Sequence, residues 1–135
     1  MSPVDEQTWL DAWNSRTAGP IIEICAPEVE IHAVTLGIEG RHYKGHDGVR
    51  EWMRDIRDRF RAYSVVDTIT ELDDGAVLVH GKLHWPDETT GEELDQRFTM
   101  LCHVRDGKAL WIGTFFSPTD ARAAWESGVT GPTGG

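Results

Sequence analysis

The sequence predicts an α+β domain with its helices gathered in the first half and a long antiparallel sheet in the second. Three observations carry that reading. Apolar residues recur at helical spacing as far as Phe60, and from Tyr63 the period switches to two. Tight-turn signals then join successive strands directly, which leaves no room for βαβ crossovers.

Taken in order, Ser2 is placed as an N-cap with Pro3 at the first helical position and Asp5 three residues after the cap. This helix is expected to run to about Thr17, carrying Val4, Trp9, Leu10, Ala12 and Trp13, and Gly19-Pro20 ends it. A short second helix over about residues 20–26 gathers Ile21, Ile22 and Cys25 on one side. Pro27 then releases a strand over residues 29–34, with Val29 and Ile31 on one face and Glu30 and His32 on the other. Gly37, Gly40, Gly45 and Gly48 punctuate the next stretch.

A third helix starts at His46-Asp47, with Asp47 as its cap. Its stripe is Val49, Trp52, Met53, Ile56 and Phe60, and the charges between them (Arg50, Glu51, Arg54, Asp55, Arg57, Asp58, Arg59) read as a solvated face. Strands are expected over about 63–72, 76–85, 92–105 and 109–116. Asp73-Asp74-Gly75 and Asp106-Gly107 form tight turns, and Pro86 to Gly91 forms a longer one. Pro118-Thr119-Asp120 opens a last short helix with Ala121, Ala124 and Trp125. Residues 1–128 are thus read as one domain, and the Gly-, Thr- and Pro-rich residues 129–135 as a flexible tail.

The bulk features bound the function. The chain has 135 residues and a net charge of −10, which argues against a broad nucleic-acid surface, since phosphate binding needs concentrated positive charge. No apolar run reaches the ~18 residues of a membrane span, and the acidic start lacks a signal-peptide pattern, so the expected setting is cytoplasmic, with no membrane partner. Cys25 and Cys102 read as reduced, structural thiols. Six Trp in so short a chain is unusual; such large side chains are hard to hide in a thin core, so some are expected to line a cavity or a subunit interface.

Several segments carry a resemblance. Pro27-Glu28-Val29, then Tyr43-Lys44-Gly45-His46-Asp47-Gly48-Val49-Arg50, then Val104-Arg105-Asp106-Gly107-Lys108, followed by Phe115-Phe116 and Ala121 to Ala124, are together similar to the SnoaL-like polyketide cyclase branch of the NTF2-like superfamily. The resemblance spans Trp9 to about Gly128. It implies a cone-shaped barrel, a curved antiparallel sheet wrapped around the N-terminal helices, and a homodimer. It does not imply one reaction, because members include isomerases, dehydratases, epoxide hydrolases, cyclases and non-catalytic binders. Where ketosteroid isomerases carry a Tyr and two Asp, this chain has Trp9, Ala33 and Thr99 or Met100. Where epoxide-hydrolase-like members carry an Asp, it has Thr114.

Strand parity sets Phe98, Met100, Ile112, Thr114 and Phe116 on one apolar row facing the helices. With Trp9, Trp13 and Trp52 they are the candidate substrate-binding residues, the alternative being a solidly filled core. Three titratable groups are candidate catalysts. His32 has an imidazole that titrates near neutrality and sits either at the cavity rim or on the outer face. His80 alternates with Lys82 and His84 along a face that either lines a wet cavity or looks outward. Asp67 lies among Val65, Val66 and Ile69, where burial would raise its pKa and suit it to general-base work, but neither parity row around it is clearly the core. Two His at i,i+4 on a strand are ~13 Å apart, so no metal site is expected.

These residues point to a protein that binds a small hydrophobic molecule. The expected chemistry is a cofactor-free cyclase, isomerase or dehydratase reaction that moves a proton next to a carbonyl. The alternatives are a non-catalytic binder and a protein-interaction module with a packed interior.

Overall fold

The computed structural model describes residues 4–35, 38–59, 61–72 and 75–128. The expected capping residue Ser2, with Pro3, lies outside them, as do the turn residues Asp73 and Asp74 and the expected tail at 129–135.

The first helix, α1 (Glu6–Asn14), begins later than the capping pattern suggested. Asp5 is its N-cap, and the Thr8 amide donates to the Asp5 carboxylate at 3.3 Å. Trp9 and Trp13 lie one turn apart and face the same way, as the period of 3.6 requires. A short α2 (Ala18–Glu23) ends before Cys25, where β1 (Cys25–Thr35) starts. Pro27 is tolerated inside that strand because the regular ladders begin only at Glu30, which pairs with Lys44 on one side and Trp111 on the other.

A strand not foreseen in the glycine-punctuated stretch follows, β2 (Ile38–Lys44), antiparallel to β1. Helix α3 (Gly45–Arg54) continues into a π-helical turn at Asp55–Arg59. Asp47 does not cap it; Lys44 holds that position, and Asp47 instead accepts from Arg50 Nη1 at 2.7 Å. Strands β3 (Tyr63–Glu71), β4 (Ala76–Pro86), β5 (Glu93–Arg105) and β6 (Lys108–Phe115) follow the expected meander. At the β5–β6 turn both Asp106 and Gly107 have positive φ, 54° and 78°, as a tight hairpin demands. Helix α4 (Pro118–Ser127) is capped by Ser117, whose Oγ accepts from the Asp120 amide at 3.1 Å.

The sheet corrects the expected barrel. Its order is β2-β1-β6-β5-β4-β3, so β2 and β3 are opposite edges with one neighbour each, and the sheet stays open. Nor is it wholly antiparallel, because β1 runs parallel to β6. Closure would require an edge-to-edge ladder between β2 and β3. Instead α1 packs on β3 while α3 packs on β1 and β2.

Period-two alternation then builds two cores. On the face carrying α1 to α3, Val29, Ile31, Val77, Val79, Met100, Cys102 and Ile112 meet Trp9, Trp13, Ile21, Val49 and Trp52. On the opposite face Leu78, Leu101 and Trp111 are covered by Ala121 and Trp125 of α4. Both cysteines are free and buried in the first core. Burial pushes the Cys25 thiol up to about 12, and Cys102 is raised as well, which suits structural rather than nucleophilic thiols. No helix among the described residues is long and apolar enough to cross a membrane.

Candidate functional site

The first core does not pack solid. Between α1, α2, α3 and the inward rows of β3 to β6 lies a cavity of about 350 Å³, within the range of small-molecule sites. Its floor is Phe98, Met100 and Thr114, set on adjacent strands by the register that pairs Met100 with Thr114. Leu83 and Trp85 of β4 and Gln96 of β5 extend that floor, because parity turns the odd residues of β4 toward the helices. Trp13, Ile21, Trp52, Met53 and Ile56 form the roof. Ser64 lies on the β3 side, and half-exposed Phe116 stands beyond the end of β6.

The roof is held by aromatic edges. Trp13 meets Trp9 with ring centroids 6.4 Å apart and Trp52 at 6.0 Å, both edge to face. The indole Nε1 atoms of Trp13 and Trp52 are buried, and neither has a hydrogen-bond acceptor among the described residues. A buried donor without an acceptor costs roughly 1–3 kcal/mol.

Arg16, in the turn after α1, is the one formally charged residue among the described residues lining the cavity. Its Cζ stands 4.3 Å above the Tyr63 ring. None of the described lining residues is Asp, Glu, His or Lys.

Of the eight candidate substrate-binding residues, Trp13, Trp52, Phe98, Met100, Thr114 and Phe116 lie against this cavity. Trp9 and Ile112 are fully buried and do not reach it; Trp9 backs Trp13, and Ile112 packs in the first core. The three candidate catalysts are not brought together, and none lies against the cavity. His32 is on the opposite face, between His42 at 4.1 Å and Trp111 at 5.2 Å, ring centroid to centroid. His80 is also on that face, its ring nitrogens bonded to Thr70 Oγ1 at 3.0 Å and Thr99 Oγ1 at 3.3 Å. Asp67 is the unpaired residue of a bulge between Val66 and Thr68, and that extra residue leaves it exposed.

Residues not singled out beforehand include Trp85, Leu83, Gln96 and Arg16. Parity contained a signal for the first three, since they share rows with Val79 and Phe98. Arg16 had none, because its position depends on a turn that brings it over β3.

A family model described as the SnoaL-like domain matches residues 7–112. The chain belongs to this family. Every cavity residue from Trp13 to Met100 lies inside the matched stretch, while Thr114 and Phe116 follow it. Among solved structures, the chain is similar to TerC co-crystallised with polyporic acid, at 20% identity and TM-score 0.68, covering 93% of this chain and 99% of that one. It is similar to an NTF2-like protein of unknown function from Burkholderia pseudomallei, at 19% identity and TM-score 0.68, covering 89% and 95%. It is also similar to a putative SnoaL-like polyketide cyclase from Jannaschia sp. CCS1, at 17% identity and TM-score 0.62, covering 92% and 94%. No curated protein matches the chain. At these identities the likeness shows the SnoaL-like, ketosteroid-isomerase-like fold, not a shared reaction.

The face opposite the cavity has its own electrostatics. Burial lowers the imidazole pKa of His32, His80 and His103 below the ordinary 6.5. For His32, neighbouring His42 acts in the same direction and Glu30 opposes it; for His80, Asp67 opposes and Arg122 reinforces. Neutral imidazole is therefore the form the fold favours, and the unfolded chain takes up protons first. Their contribution to stability is complete above about pH 6.5 and is lost as pH falls from there through the folded-state values. The urea midpoint is expected to drop between pH 7.5 and 5.5, a window in which ordinary carboxylates stay ionised. A midpoint that stays level or rises over that window would refute this.

Proposed function

We propose that this chain binds a small, mostly apolar and flat molecule with oxygen acceptors in the cavity beneath α1 to α3. The observation that carries the reading is an apolar space of about 350 Å³ roofed by Trp13 and Trp52 and floored by Phe98 and Met100. Apolar walls supply affinity through area removed from water, and the few polar groups set orientation. TerC, whose fold is similar, was co-crystallised with polyporic acid, which supports a search among small organic compounds.

Binding rather than turnover is what the geometry favours. Proton transfer next to a carbonyl needs an acid–base group within hydrogen-bond reach of the ligand. The lining residues offer indoles, a hydroxyl pair at Ser64 and Thr114, an amide at Gln96 and a guanidinium.

Titration calorimetry with 2-acetylnaphthalene tests the reading. Saturable binding at one site per chain is expected. Ser64→Trp, which fills the cavity from a partly exposed position without removing a core residue, is expected to weaken it at least tenfold while thermal unfolding stays cooperative. Absence of saturable binding across a panel of aromatic ketones, quinones and esters would overturn the reading. So would affinity unchanged by Ser64→Trp.

A further inference from the structure

We propose that the cavity selects organic anions, namely flat apolar molecules bearing a delocalised anionic oxygen group that Arg16 receives at the edge of the site. The inference rests on the binding reading above and adds to it the charge of the ligand.

Arg16 is placed by its backbone. It sits in the α1–α2 turn at φ 60°, the left-handed region that a non-glycine residue seldom adopts. Ser15 braces the turn on both sides, its Oγ donating to Ala12 O at 2.6 Å and accepting from the Thr17 amide at 3.3 Å. The guanidinium lies over the Tyr63 ring. That ring is itself fixed: His84 stacks on it at 4.9 Å with planes 10° apart, and its hydroxyl donates to Glu93 Oε1 at 2.6 Å. An arginine whose contact is with a ring rather than a carboxylate keeps its N–H groups available, and these match the two oxygens of a carboxylate or of an ionised hydroxyquinone.

Arg16 is also uncommitted. Its interaction among the described residues is with Tyr63, and it forms no ion pair there. Glu93, the carboxylate of this stack, is taken by the Tyr63 hydroxyl and lies 3.9 Å from His84 Nδ1. The overall charge sharpens the point. A chain at −10 repels anions, so a neutral apolar ligand would need no cation beside its pocket, whereas an anionic one would.

The experiment compares matched ligands at pH 7.5 by titration calorimetry: 2-naphthoate against 2-naphthamide, and 2-hydroxy-1,4-naphthoquinone against its methyl ether. The two pairs separate carboxylate from ionised enol as the preferred group. In the wild-type protein the anion of at least one pair is expected to bind roughly five- to tenfold tighter than its neutral partner, the range of a charge-assisted contact at a partly exposed site. The gap should narrow in 0.5 M NaCl, a readout that requires no variant. Arg16→Gln should abolish or invert the preference, the anions losing more affinity than their neutral partners, while Arg16→Lys retains part of it. Equal affinities within both pairs, or a preference that persists in Arg16→Gln, would overturn the proposal and leave the cavity reading standing. If no ligand of either pair binds, the cavity reading falls and this proposal with it.

Discussion

Gly81→Ala is expected to destabilise the fold by about 2–4 kcal/mol, read as a lower urea midpoint. Gly81 is buried in β4 and pairs with Val66 of β3 on one side and Phe98 of β5 on the other, next to the bulge at Asp67. A Cβ there would collide with Val65 O and would stand 3.1 Å from Val66 Cα and 3.0 Å from Phe98 Cζ. Two of those three atoms are backbone and cannot swing aside. Edge strand β3 has β4 as its one neighbouring strand, so the strain is relieved by peeling β3 away. Asn14 resists this, donating Nδ2 to Val66 O at 2.9 Å and accepting from the Val66 amide at 2.8 Å. Because β3 carries Ser64 at the cavity, amide exchange along β3 should rise before global unfolding does. A loss of stability below about 0.5 kcal/mol, the scale of an ordinary surface change, would refute this account.

The second large effect concerns Trp13, where two substitutions should separate packing from hydrogen bonding. Trp13→Ala removes a 3%-exposed indole that joins Trp9 to Trp52, and is expected to cost about 3–5 kcal/mol. Trp13→Phe keeps most of the apolar contact and deletes a donor that has no acceptor among the described residues. Its cost should stay below about 1.5 kcal/mol, since the relieved donor offsets part of the lost volume. Ligand binding should report the shape of the roof: Trp13→Phe is expected to weaken 2-acetylnaphthalene and naphthalene alike, each severalfold. Affinities unchanged for both would show that Trp13 does not shape the site.

Particular residues show how far sequence reasoning reached. Four long strands, the tight turn at Asp106-Gly107 and the inward row Phe98, Met100, Thr114 were readable because period two is a local property of the chain, set by how successive side chains leave a pleated backbone. Helix α3 was readable from its stripe for the same reason at period 3.6. Strand β2 was not, because Gly37 and Gly40 read as loop signals and the strand is specified by its ladder with β1. The start of α1 was misplaced because Ser2 and Asp5 both look like caps, and which one acts depends on where the chain enters the core. The barrel expectation failed at the edges: nothing local to β2 or β3 states whether they meet, and in the fold α3 packs on β2 while α1 packs on β3.

His32, Asp67 and His80 fail as a cluster for a related reason. Each has a side chain suited to proton transfer, but chemistry-bearing residue types are legible one at a time, whereas their meeting is a long-range fact. A single bulge turned Asp67 out to solvent, and parity put both histidines on the face away from the cavity.

By itself the sequence determined the α+β class, the meander, the apolar inward row and the likeness to SnoaL-like proteins, all of which follow from local periodicity and short motifs. Only the tertiary structure decided that the sheet stays open, that the interior is hollow, that two buried indole donors lack acceptors among the described residues and that Arg16 reaches the cavity edge. Those properties depend on residues distant in the chain arriving at one place, and packing, unlike periodicity, is not encoded within any one segment.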